Sequence, residues 1–178
     1  HKDIFGFLNR CRELELSLYV LSNLTLLTDD IISEMKKNSL LSVQVSLYSM
    51  DAAVHDSITK LNGSFEKTKA GILRLCDEGI PVQISCPIIK QNKDNYVDVL
   101  HWGWAHNIAV ATEPVIFAAY DHSGCNLENR LSIEEVDDVL TIQMQEGYAE
   151  SIRKTAKDKE KLTGNDPICS VCRYSFCV

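Results

Sequence analysis

Ser42-Val43-Gln44-Val45-Ser46-Leu47-Tyr48 is the stretch that decides the fold. Val43, Val45 and Leu47 alternate with Gln44, Ser46 and Tyr48. A period of two puts the apolar side chains on one face of a strand and the hydrogen-bonding ones on the other. The pattern recurs upstream at Glu13–Val20, where Leu14, Leu16, Leu18 and Val20 oppose Glu13, Glu15, Ser17 and Tyr19. It recurs downstream at Pro81–Ile89, where Val82, Ile84, Cys86 and Ile88 oppose Gln83 and Ser85. A fourth strand is predicted over Val110–Ala119.

Helical patterns separate these strands. Thr28 is placed to cap a helix from Asp29 to about Lys37, with Ile31, Ile32 and Met35 as its apolar stripe. A polar loop is expected from Ser49 to Gly63. Ser64 then opens a helix with Phe65, Ile72, Leu73 and Cys76 inward, stopped by Gly79. Asp94–Asn107 reads as the next helix, and Ser132, with Glu134 and Glu135, opens a long one. Strands alternating with helices imply parallel pairing through crossovers, in a doubly wound sheet or a barrel segment.

Parallel strands covered on both faces read as continuous apolar runs. These strands carry a polar face instead, so helices are expected on one side only. The sheet then either curves into an open barrel around a polar ligand or lies flat beneath another chain or domain. The strand ends favour the barrel. Ligands of such folds bind at carboxyl ends. Those ends here are Ser22-Asn23, Ser46–Ser49, Lys90-Gln91-Asn92 and Tyr120-Asp121-His122, all rich in small hydrogen-bonding groups. Loops are polar in any case, and Ser or Asn also cap helices, so it is the four ends together that carry weight.

The chain has 178 residues and a net charge of -7, which argues against a nucleic-acid partner because phosphate binding needs a basic footprint. No stretch reaches the roughly 20 apolar residues of a membrane span, and the sequence predicts a soluble, cytosolic protein. GxGxxG, GxxxxGK[ST] and GxSxG are absent. His55-Asp56 alone is weak evidence of a metal, and turn capping by Asp56 is the plainer role. Of seven cysteines, Cys169, Cys172 and Cys177 crowd the last ten residues. Closely spaced thiolates suit zinc or an iron–sulfur centre, although three ligands do not complete a four-ligand site.

Val45-Ser46-Leu47-Tyr48-Ser49, His55-Asp56-Ser57-Ile58-Thr59, Asn62-Gly63-Ser64-Phe65, Gly79-Ile80-Pro81-Val82 and Lys90-Gln91-Asn92 together resemble radical S-adenosylmethionine (SAM) enzymes with a SPASM-type C-terminal auxiliary-cluster region. The resemblance runs from about residue 12 to the end. It implies a partial, open (β/α) barrel fragment of a TIM-like fold, with about four parallel strands and helices on one face. It implies SAM and a 4Fe-4S cluster as cofactors, with Ser22, Asn23, Ser46, Tyr48 and Asn92 lining the SAM pocket. Cys169, Cys172 and Cys177 would begin the auxiliary-cluster region. The organisation expected is a partial barrel over 1–144, a polar helical linker over 145–167 and the cysteine-rich start over 168–178.

The same resemblance implies radical modification of a peptide or small-molecule substrate, as in coenzyme PQQ synthesis proteins. Two family motifs, the CxxxCxxC cluster loop and the GGEP strand end, do not occur in this sequence. The chain alone is therefore expected to be inactive. The alternatives are a non-catalytic α/β module docking a partner protein, or a zinc protein using the last cysteines. An exposed first-strand edge predicts self-association.

Overall fold

A computed structural model describes residues 3–38, 40–118, 124 and 126–148. The chain divides into a unit ending at Ser132 and another beginning at Ile133. In the first unit the order is α1 (Ile4–Glu13), β1 (Leu18–Ser22), α2 (Asp29–Lys36), β2 (Leu40–Ser46), α3 (Ala52–Thr59), α4 (Ser64–Asp77), β3 (Val82–Pro87), α5 (Tyr96–Ala105) and β4 (Ala109–Glu113). The strands form one parallel sheet in the order β1-β2-β3-β4. This is the expected partial (β/α) barrel.

Register explains its two faces. Val20 pairs with Val43, Val43 with Val82, and Val45 with Ile84. Val43, Val45, Ile84 and Cys86 are wholly buried, together with Ile72 and Leu75 of α4 and Val99 of α5. On the opposite face Leu21 pairs with Gln44, Gln44 with Gln83, and Gln83 with Ala109. One step along, Ser46 pairs with Ser85 and Ser85 with Ala111. Leu21, Ala109 and Ala111 are exposed and the glutamines and serines half-buried, so among the described residues of this unit no helix covers this face.

Several expectations change, the fourth strand among them, which ends at Glu113 instead of Ala119. The first strand begins at Leu18, because Ile4–Glu13 is helical and buries Leu8 and Cys11 three apart. Its end is a Schellman turn: Glu15 N–H donates to Arg12 O, Leu16 N–H to Cys11 O, and Glu15 takes φ 55°. Leu14 and Leu16 are consequently exposed. The expected loop after β2 contains α3, whose start is capped by Asp51 accepting from Ala53 N and Val54 N. In α4, Gly63 rather than Ser64 is the N-cap, and Leu75 rather than Cys76 is buried.

In the second unit α6 spans Ile133–Gln143 and runs into a π-helical turn over Met144–Tyr148. The predicted linker and the terminal cysteines from residue 149 onward lie outside the described residues.

Candidate functional site

Asn23, Ser46 and Tyr48 converge on a pocket of about 240 Å³ at the carboxyl ends of β1 and β2. Helices α3 and α4 supply much of the remainder: His55, Thr59, Ser64 and Thr68, with Thr25 and Leu61 from the adjoining loops. No lining residue is an aspartate, glutamate, lysine or arginine. Such a wall suits the neutral, hydroxylated part of a ligand, because an ionic group would find no opposite charge there.

Local chemistry builds each wall. Asn23 Oδ1 accepts from Thr25 N–H at 3.2 Å and from Thr25 Oγ1 at 3.0 Å. Thr68 Oγ1 donates to the Asn23 carbonyl at 2.9 Å, tying α4 to the end of β1. The start of α4 is pinned by Asp56, whose Oδ1 accepts from Phe65 N–H and Ser64 Oγ, both at 2.8 Å, while Oδ2 accepts from Gly63 N–H. Those hydrogen bonds, Phe65 N–H foremost, hold the Asp56 carboxyl below the ordinary aspartate range. Gly63 takes φ 76°, a conformation that a side chain would strain.

His55 is 1% exposed. Tyr48 N–H donates to its Nδ1 at 3.3 Å. Its ring lies 5.7 Å from the Tyr48 ring and 5.8 Å edge-on from Phe65. Burial lowers its pKa and outweighs the opposing charge of Asp56, so the imidazole is neutral at pH 7.

The other predicted site residues lie elsewhere. Ser22 is on the helix-covered face, in register with Val45, and its Oγ accepts from Leu24 N–H at 3.1 Å. Asn92 is wholly buried. It accepts from Ile89 N–H at 2.8 Å and donates to Tyr48 O at 2.7 Å and Pro87 O at 3.0 Å. It thereby fixes the position of Tyr48 from behind the pocket.

Cys169, Cys172 and Cys177 are outside the described residues. Among the described residues, no three His, Cys, Asp or Glu side chains are grouped to hold a metal. Burial pushes the Cys86 thiol up to about 12, leaving it an inert core group. Also among them, no helix is long and apolar enough to cross a membrane.

His55, Thr59, Ser64 and Thr68 were not anticipated as pocket residues. Their signal is spacing: His55 with Thr59 and Ser64 with Thr68 are each four apart, and so share a helix face.

An open α/β half-barrel with a polar pocket at its strand ends puts the candidate site where ligands of such folds bind. Residues 1–103 match the model of the Radical SAM superfamily, and the chain belongs to that superfamily. A curated relative, the AdoMet-dependent heme synthase of Methanosarcina barkeri, is 30% identical over 90 residues, covering 51% of this chain and 26% of that protein. The chain thus spans about a quarter of that relative's length.

Streptococcus suis SuiB, solved with S-adenosylmethionine bound, superposes at a TM-score of 0.62 with 14% identity, over 83% of this chain and 34% of that one. A domain of the pyruvate-formate lyase-activating enzyme of Bacteroides vulgatus superposes at 0.57 with 18% identity, over 82% of this chain and 86% of that one. At these identities the two structures support the fold alone.

Proposed function

We propose that this chain is the C-terminal part of the barrel of a radical SAM enzyme, and that its pocket holds the nucleoside portion of S-adenosylmethionine. The observation that carries the reading is the convergence of Asn23, Ser46 and Tyr48, from two adjacent strand ends, on a pocket lined by no aspartate, glutamate, lysine or arginine. The ribose and adenine of SAM are neutral and rich in hydrogen-bonding atoms, which matches that wall. Asn23 offers its Nδ2 amide, since its Oδ1 is already engaged. Ser46 and Tyr48 offer hydroxyls.

The chemistry that such a cofactor pair would supply is radical hydrogen abstraction from a substrate, a reduced 4Fe-4S cluster furnishing the one electron that would cleave a sulfonium C–S bond of SAM. The described residues contain no ligand group for such a cluster. The role assigned to the described residues is to bind, orient and shield. The substrate in this reading is a peptide or small molecule modified by radical chemistry, as in coenzyme PQQ synthesis proteins. The solved complex of SuiB with its precursor peptide SuiA, at a TM-score of 0.58, is in keeping with a peptide.

Calorimetric titration of S-adenosylmethionine and S-adenosylhomocysteine into the chain tests the binding step. Saturable binding that is abolished by Ser46→Phe, which fills the pocket, supports it. Binding unchanged by that substitution counts against it.

A second reading, a module that docks a protein partner, has one observation in its favour. Leu21 and Leu41 are 73% and 59% exposed around β1, a strand paired on one side only among the described residues.

A further inference from the structure

His55 is buried on every side except the pocket it lines. Its Nδ1 accepts the Tyr48 N–H, so the proton of the neutral ring sits on Nε2. Among the described residues nothing accepts from that Nε2–H. The neighbouring acceptor, the Asp56 carboxylate, is taken up by Gly63, Ser64 and Phe65. Within the pocket, Thr68 spends its hydrogen on the Asn23 carbonyl and Ser64 spends its own on Asp56. The α3–α4 side of the pocket therefore presents few donors, and the His55 Nε2–H is one that remains open to a ligand there.

We infer that His55 is a ligand-binding residue, presenting Nε2–H as a fixed donor to an acceptor oxygen or nitrogen of a neutral nucleoside. The assignment rests on the proposed function for the identity of the ligand. The tautomer and the open donor are properties of the chain itself. Because Tyr48 is held through its backbone N–H by His55 and through its carbonyl by Asn92, the same histidine also sets the strand end that carries the Tyr48 hydroxyl.

Two substitutions separate the roles. His55→Asn keeps an acceptor near the Nδ1 position and loses the distant donor. His55→Gln keeps a donor near Nε2 and loses the close acceptor. Binding of adenosine and S-adenosylhomocysteine is measured on the chain and both variants, with melting temperature recorded in parallel. We expect the Asn variant to keep its fold and bind about tenfold more weakly, the loss of one hydrogen bond to a ligand. The Gln variant should melt lower while retaining more of the affinity.

Equal affinities for the two variants, or the reverse order, overturn the inference and leave the proposed function standing. Failure of the unsubstituted chain to bind either nucleoside overturns the proposed function and, with it, the ligand named here. Imidazole nitrogen spectra of the free chain supply an independent check. Protonation at Nε2 is expected, and a proton on Nδ1 overturns the assignment whatever the ligand.

Discussion

The Tyr19 hydroxyl on β1 donates to Gln83 Oε1 on β3 at 2.6 Å, passing over β2 on the polar face of the sheet. The polar face is thus knitted together by its own side chains. Replacing Tyr19 by Phe removes this bond from a solvent-accessible setting, where water can take its place. The expected loss is less than about 1 kcal/mol by chemical denaturation. A much larger loss would mean that the face is covered and dry.

Gly103 lies where α5 meets the sheet. A Cβ there would run into Val110 Cγ2 and come within 3.3 Å of the Ile108 carbonyl oxygen. The carbonyl belongs to the backbone and cannot swing away. Gly103→Ala should destabilise the chain by about 1–3 kcal/mol, despite alanine's higher helix propensity. A neutral or stabilising effect would contradict the close packing of α5 on β4.

Acid should weaken the fold in two stages. The pKa of His55 in the folded chain is below the ordinary 6.5, so its neutral form is favoured by folding. Its contribution is complete above 6.5 and declines as pH falls through the folded value. Asp56 is held below its ordinary 3.8, so its contribution is complete above 3.8 and is lost at still lower pH. Melting temperature against pH should lose its first slope in His55→Asn and its second in Asp56→Asn. Unchanged slopes in both variants would refute these assignments.

Among the described residues β1 is paired on one side only, an edge that invites pairing with a second chain. Sedimentation at rising concentration should show reversible dimers, and Leu21→Lys, which places a charge on the exposed β1 side chain, should reduce them. A monomer at every concentration would refute the prediction.

The strand–helix order, the polar face and the Thr28 cap were legible because each depends on local spacing. The Thr28 side chain does accept from Ile31 N–H, at 3.3 Å. Glu13–Val20 misled because its alternation straddles a helix end. Glycine usually marks such an end, and here Glu15 occupies the left-handed position instead. Helix α3 was missed because Ser49–Gly63 reads as polar, although Asp51 supplies a cap.

In the site, Asn23, Ser46 and Tyr48 were legible from their places at strand ends. Ser22 and Asn92 sit at the same ends but are claimed by the turn and by the β2–β3 junction. Asn92 is turned by a long-range hydrogen bond to Tyr48 O that no spacing encodes, whereas Ser22 follows Val20 onto the helix-covered face by the same period of two.

The most direct test of the central claim is to map where S-adenosylmethionine perturbs the amide spectrum of this chain. Shifts confined to Asn23, Ser46, Tyr48, His55 and the start of α4 are predicted. Shifts confined to the adjoining groove lined by Leu27, Lys67 and Arg74, or none at millimolar ligand, would contradict the claim that the strand-end pocket is the nucleoside site.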